Sequence, residues 1–393
     1  MPTIKTPVYL DYAATTPVDP AVVEAMLGYL GPDGCFANPA SVTHAAGRTA
    51  RKAVEAARAE IAALVGAEAQ EIIFTSGATE SDNLALKGVM RCCGTRGRLV
   101  TARTEHKAVL DTAHRLEAEG FALTCLTPEP DGRIDPAALA EAIRDDTVLV
   151  SIMLVNNEIG VIQDIAALGT VCRERGVLFH VDAAQAAGKV PIDLASLPVD
   201  LMSFSGHKLY GPKGIGALYV RHAPDVRLEA MVHGGGHERG LRSGTLATHQ
   251  IVGMGRAFAI ARERFAEDAE HARRLTTRLH EGLASLGGVQ VNGPADNQRA
   301  GHILNLAFDG IVTDTLLYFL SDVSVSTGSA CSSASQAPSY VLKALGLSDA
   351  RARASLRMSV GRFTTEDEVD FAVEHIGSAV QRLRAMAPAE AAG

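Results

Sequence analysis

What the chain lacks narrows its class first. No segment approaches the roughly 18 consecutive apolar residues that a membrane-crossing helix needs, and the opening Met-Pro-Thr-Ile-Lys has no continuous apolar stretch of the kind a secretory leader uses. The expectation is a cytoplasmic protein without membrane contact. Basic residues are not in excess: 37 Lys and Arg stand against 45 Asp and Glu, a formal charge of -8. That balance argues against a broad nucleic-acid or anionic-lipid surface, so any anionic ligand must be held locally. Cysteine is sparse, six in 393 residues, with no C-x-x-C pair or regular spacing that would indicate zinc or a disulfide framework. No internal repeat stands out, and low complexity is confined to residues 324–335 and the Ala-rich last few residues.

What is present is ordinary globular material, 47% apolar and 21% charged. At this length one compact core is unusual and two domains sharing a cleft are expected. From about residue 17 to 220, helix-period stretches alternate with short β-branched runs, the pattern of an α/β fold with a mostly parallel sheet. The strands are read at 71–74, 99–102, 147–155, 177–181 and 201–204. A helix follows Asp19 and Pro20, another spans 45–65, and Asp164 caps a third. A long helical pattern over 245–286, with Arg262, Glu263, Glu267, Asp268, Glu270 and Arg273 as a solvated charged face, links to a smaller α+β domain. There, strands are expected at 303–308 and 356–360 and helices at 340–345 and 366–386.

In doubly wound sheets ligands sit beyond the carboxyl ends of the strands, and several such ends here are chemically loaded. The run Thr75-Ser76-Gly77-Ala78-Thr79-Glu80 reads either as an ordinary capped helix start or as a phosphate cradle made of free backbone N–H groups. Asp182 is either a helix cap or a carboxylate that holds a pyridine nitrogen protonated, as pyridoxal phosphate requires. Lys208, in Ser205-Gly206-His207-Lys208, is either solvated or a Schiff-base lysine. Glu105-His106-Lys107 is either a polar loop or the source of an imidazole that stacks on the ring and relays protons. Each signal is weak alone; their shared placement after strands of one sheet is what gives them weight.

Two further signals come from the second half. Cys331 lies in Ser326-Thr327-Gly328-Ser329-Ala330-Cys331-Ser332-Ser333-Ala334-Ser335, a small-residue run that predicts a mobile loop; its thiol is either incidental or a nucleophile that swings between a buried site and a surface acceptor. In Ser355-Leu356-Arg357-Met358-Ser359-Val360, alternation puts Arg357 opposite Leu356 and Met358, facing solvent or facing the cleft as a bidentate carboxylate clamp. Other patterns fail. Three glycines separate His233 from His237, which makes a helical metal-ligand pair implausible, and Gly214-Ile215-Gly216 has Tyr219 where a dinucleotide fingerprint needs Gly or Ala.

Taken in order, these elements resemble the cysteine desulfurases, within the aminotransferase class V fold type. The resemblance runs end to end, through Tyr9-Leu10-Asp11-Tyr12-Ala13-Ala14-Thr15-Thr16-Pro17, Asn38-Pro39-Ala40-Ser41, the 75–83 turn, Thr104-Glu105-His106-Lys107, and segments 155–160, 205–216 and 233–245. It is nearest to the housekeeping iron-sulfur-cluster and nitrogen-fixation branch, whose enzymes are homodimers. It implies the pyridoxal-phosphate transferase fold type I, with a large domain over 16–260 and a small domain made of 1–15 and 261–393. It also implies a catalytic set of Lys208 as the Schiff-base lysine, His106 over the ring, and Cys331 as the thiolate that takes the sulfur of L-cysteine as a persulfide. The ring nitrogen would go to Asp182 and the ring oxygen to Gln185 and Asn157. The phosphate would go to Ala78, Thr79, Ser205 and His207, with Thr245 supplied by the partner subunit. The substrate carboxylate would go to Arg357 and Asn38. The implied partners are a second copy and a sulfur acceptor such as an iron-sulfur scaffold, with Cys331 also touching a cluster transiently.

Overall fold

The computed structural model describes residues 4–94, 97–294, 296–327 and 337–386. Among these residues no helix is long and apolar enough to cross a membrane. The described strands are β1 (Val8–Tyr9), β2 (Ile72–Thr75), β3 (Arg98–Ala102), β4 (Ala122–Leu126), β5 (Thr147–Ser151), β6 (Leu178–Asp182), β7 (Leu201–Ser205), β8 (Gly216–Val220), β9 (Val289–Val291), β10 (Ile303–Phe308), β11 (Val323–Ser324) and β12 (Ser355–Ser359). Seven of them form one sheet in the order β2-β8-β7-β6-β5-β3-β4. Only β8 runs against the rest, pairing antiparallel with both β2 and β7. The inner strands β5, β6 and β7 are buried almost throughout, which is why they read as apolar runs without alternation.

Helices cover the sheet, and their ends are chemically determined. Asp19 Oδ1 accepts from Ala21 N at 3.0 Å and Pro20 opens the Pro20–Leu27 helix. Asp164 Oδ1 likewise accepts from Ala167 N at 2.9 Å ahead of Ile165–Glu174. The Ala45–Val65 helix buries Ala50, Val54, Ala57, Ile61 and Val65, a stripe at helical spacing, and Gly66 ends it at φ 68°, where only glycine is unstrained.

The 37-residue helix Thr248–Ala284 belongs to two cores. Its first half contributes Ile251, Met254, Phe258 and Ala261 to the core around the large sheet. Its second half contributes Ala272, Leu275, Leu279 and Leu283 to a core shared with Val8, Leu10, β10 and β12. Of the expected solvated face, Arg262, Glu263, Glu267, Glu270 and Arg273 are exposed, and Asp268 is the residue that departs from it. Asp268 pairs with Arg362 at 2.7 Å, Arg362 also grips Asp19 at 2.7 Å, and its guanidinium lies over the Tyr210 ring at 4.3 Å. The charge at this position is spent on stitching the two cores together.

A second buried pair anchors the loop before Thr248. Arg58 and Glu238 meet through two 2.8 Å contacts, with side chains 7% and 2% exposed. Glu238 Oε2 also accepts from Phe74 N at 2.7 Å, and Arg58 donates to Ile72 O at 2.6 Å. The pair therefore ties the loop to β2, and Glu238 and Arg239 keep positive φ of 48° and 57° while doing so. Removing one member strands the other charge in the interior. Glu238→Ala is expected to cost about 3–5 kcal/mol, whereas the double variant Arg58→Met with Glu238→Gln costs much less. Thermal midpoints of the single and double variants check this, and a single variant as stable as the parent would contradict it.

Candidate active site

The carboxyl ends of β2, β3, β5, β6 and β7 open into one cavity of about 470 Å³. Arg357 on β12 and Tyr340 close it, and the N-terminal segment adds Ala13 and Ala14. The lining brings together Ala78, Thr79, His106, Asn157, Asp182, Gln185, Ser205, His207, Lys208 and Arg357. These are ten of the thirteen positions singled out in the sequence. Asn38 and Thr245 do not line it: both are exposed, and Asn38 Oδ1 accepts from Ala40 N at 2.9 Å in its own turn. Cys331 lies outside the described residues.

The turn after β2 delivers a helix N-terminus. Ala78–Cys92 begins without a side-chain cap, Gly77 standing at the cap position, so its first amides, those of Ala78 and Thr79, have no partner inside the helix and line the cavity. This is an anion site by construction. Gly216 of β8 permits it: a Cβ there would lie 2.5 Å from Gly77 Cα, so any side chain would push the turn off the sheet. Ser205 and His207 reach the same cavity from the end of β7. Burial, reinforced by Lys208, Lys213 and Lys189, pulls the His207 imidazole down to about 4, so it is neutral at pH 7.

Lys208 follows on the single turn Gly206–Lys208, and its Nζ donates to Ala13 O and Ala14 O at 2.6 Å each. Two backbone carbonyls thus hold the amine in place at the cavity wall. Asp182 ends β6, 5% exposed, with Oδ1 accepting from Ala184 N at 2.9 Å. Burial raises its carboxyl, opposed by His106, the Ala184 amide and Lys208. Asp182 caps a turn rather than the helix expected after it, and it lines the cavity.

His106 caps the Lys107–Ala118 helix, its Nδ1 accepting from Ala108 N at 3.1 Å. That bond occupies Nδ1 as an acceptor, which assigns the ring proton to Nε2. Burial and then Lys208 lower the imidazole against the pull of Asp182, and the helix N-terminus disfavours the cation further. The ring is a neutral acid–base group placed by backbone.

Arg357 is nearly buried. Its Nη1 donates to Asn157 O at 2.9 Å and its Nη2 to Asp11 Oδ1 at 2.7 Å, while Nε is buried with no partner among the described residues. Asn157 Oδ1 is likewise buried and unpartnered. Alternation along β12 turned Arg357 away from the core, but toward the cavity rather than solvent.

Several groups that matter here escaped the sequence reading. Asp82, one turn into the Ala78–Cys92 helix, is fully buried with Oδ1 3.6 Å from His180 Nε2, and Glu105 is fully buried with Oε1 on Met153 N at 2.7 Å. Burial raises both carboxyls well above their usual range, and Asp182 pushes the same way. Glu158 is raised to about 7 by burial, with Ser339 Oγ donating to Oε2 at 2.5 Å. Adjacency to Thr79 and His106 was the available signal for the first two; single-sequence periodicity gave none for burial of a lone acid.

Comparison with known proteins agrees with this geometry. Residues 8–371 match the aminotransferase class-V family. Cysteine desulfurase IscS of Vibrio cholerae serotype O1 is 59% identical over 386 residues, covering 98% of this chain and 95% of that protein. Its namesake from Escherichia coli O9:H4 is 57% identical over the same coverage. Among solved structures, a NifS-like protein superposes with a TM-score of 0.88 at 36% identity, covering 95% of this chain and 99% of its own. SspA in complex with cysteine does so at 0.80 and 41% identity, covering 91% and 99%. The chain belongs to the cysteine desulfurases of the aminotransferase class-V family.

Proposed function

We propose that this chain is a pyridoxal-phosphate-dependent enzyme that turns L-cysteine and the Cys331 thiol into L-alanine and a Cys331 persulfide, and passes the sulfur to an acceptor protein such as an iron-sulfur scaffold. The observation that carries the reading is the convergence, in one cavity, of a backbone-held lysine amine, a buried carboxylate and an uncapped helix N-terminus. Each part of the cofactor meets a complementary group. The phosphate suits the Ala78 and Thr79 amides with Ser205 and His207. A protonated ring nitrogen suits Asp182, whose buried carboxylate ends β6 at the cavity. The ring oxygen suits Gln185 and Asn157, and the aldehyde suits Lys208. Bound there, pyridoxal phosphate would supply an electron sink conjugated to the α-carbon of the amino acid.

The chain's own residues do the rest. Lys208 and the neutral His106 hold and move protons beside the α-carbon, one as an amine fixed by two carbonyls and the other as an imidazole fixed by its helix. Arg357 offers an unused Nε and a planar fork to the substrate carboxylate. Thr245, exposed and outside the cavity of its own chain, supports a homodimer in which a second copy brings it to the phosphate. Two charge-assisted bonds at ~1.5 kcal/mol each put the loss of kcat/KM for L-cysteine in Arg357→Lys at roughly 100-fold, with the cofactor absorbance intact. Steady-state kinetics on the loaded variant read this directly, and an unchanged kcat/KM would remove Arg357 from substrate binding.

The name of each curated relative supports L-cysteine over another amino acid. Spectral titration tests that choice: the visible absorbance of the loaded protein should shift with L-cysteine at micromolar to millimolar concentration and not with L-aspartate or L-alanine. Equal shifts with all three would argue for a general aminotransferase.

A further inference from the structure

Gln185 and Lys189 lie four residues apart on the turn that follows Asp182. Gln185 is 4% exposed and lines the main cavity. Its amide is held from two sides, Nε2 donating to Ala13 O at 2.7 Å and Oε1 accepting from Lys189 Nζ at 3.3 Å. A carbonyl can only accept and an ammonium can only donate, so these two partners decide which end of the amide is nitrogen. A glutamine without such partners can turn over and offer its oxygen instead. With the orientation fixed, the second N–H on Nε2 is left for an acceptor in the cavity.

Lys189 does not line that cavity. It lines a separate one of about 50 Å³ behind it, together with His302, whose Nε2 is buried and unpartnered among the described residues. This is room for a few waters that would take the other N–H groups of the amine. Burial, and then Lys208, pull the Lys189 amine down to about 7, and its described hydrogen-bond acceptor is Gln185 Oε1 at 3.3 Å.

We propose that Lys189 is a positioning residue: by donating to Gln185 Oε1 it sets the polarity of the Gln185 amide, so that an N–H rather than a carbonyl oxygen meets the ring oxygen of the cofactor. The inference rests on the reading that this cavity holds pyridoxal phosphate. Its signature is that Lys189 acts only through Gln185.

A double-variant cycle on cofactor binding tests it. The Kd for pyridoxal phosphate is measured on apoprotein by the visible absorbance that develops, with thermal midpoints to monitor folding. Lys189→Met and Gln185→Ala are each expected to weaken Kd about tenfold, the worth of one hydrogen bond, and the double variant no more than the worse single one. Effects that multiply would overturn the proposal. Lys189→Arg and Lys189→Gln keep a donor and are expected to hold Kd within about threefold of the parent, which also decides the matter if Lys189→Met does not fold. Donor-keeping variants that lose as much as tenfold would overturn it while leaving the cofactor assignment standing. A parent protein that develops no absorbance with pyridoxal phosphate would overturn both.

Discussion

Lys208→Ala is expected to lose turnover by roughly 10⁴-fold or more, with no covalent cofactor retained after borohydride reduction. In the proposed reaction this amine is the reactive group: the β7 strand end places it, and the Ala13 and Ala14 carbonyls hold Nζ at 2.6 Å. Lys208→Arg separates charge from nucleophilicity, because a guanidinium can meet the same carbonyls but is not deprotonated in proteins and forms no imine. Both variants are therefore expected to fail alike. The phosphate cradle does not involve this side chain, so pyridoxal phosphate should still bind non-covalently. Mass measurement after reduction checks the point: the parent gains the cofactor and the variants do not. Turnover retained in either variant would move the chemistry to another amine, of which Lys189 and Lys213 are nearest in sequence.

Cys331→Ala is expected to keep the cofactor and its colour and to respond to L-cysteine, but to release alanine and sulfide at least roughly 10³-fold more slowly. Thiolates, not thiols, attack sulfur, and Cys172, Cys125 and Cys92 are poor alternatives. Burial lifts the Cys172 thiol to about 12 and raises that of Cys125. Cys92 is raised by burial, then by Cys93 and Glu229. Peptide mass spectrometry after a single turnover should find one added sulfur on Cys331 in the parent and none on the variant. Transfer at the parental rate in the purified variant would remove Cys331 from the mechanism, and added sulfur on Cys92 or Cys93 would name the replacement.

Fold and site were legible to different depths. The inner strands and the capped helices showed clearly because burial on both faces and side-chain caps act locally; β10 and the Glu366–Met386 helix fall where periodicity put them. The strand read over 147–155 stops at Ser151, beyond which the chain bends toward the cavity and reaches Asn157. β4 and β8 escaped notice, one a partly buried edge strand, the other introduced by glycines that read as a loop. For the site, residues next to strand ends could be found because topology makes every such end a candidate. Lys189 could not, and Asp82 and Glu105 only through their neighbours Thr79 and His106, since the significance of all three lies in burial and in partners far along the chain. On the charged face of the long helix Asp268 alone misled, for the same reason: it meets Arg362, 94 residues away.

The central claim is the reaction itself, and stoichiometry tests it most directly. Protein loaded with pyridoxal phosphate is given L-cysteine and a thiol reductant, and alanine and sulfide are quantified in the same samples over time. Equal amounts of both, absent in Lys208→Ala, are the predicted result. A loaded protein that releases neither, or that releases keto acid in place of alanine, would contradict the assignment.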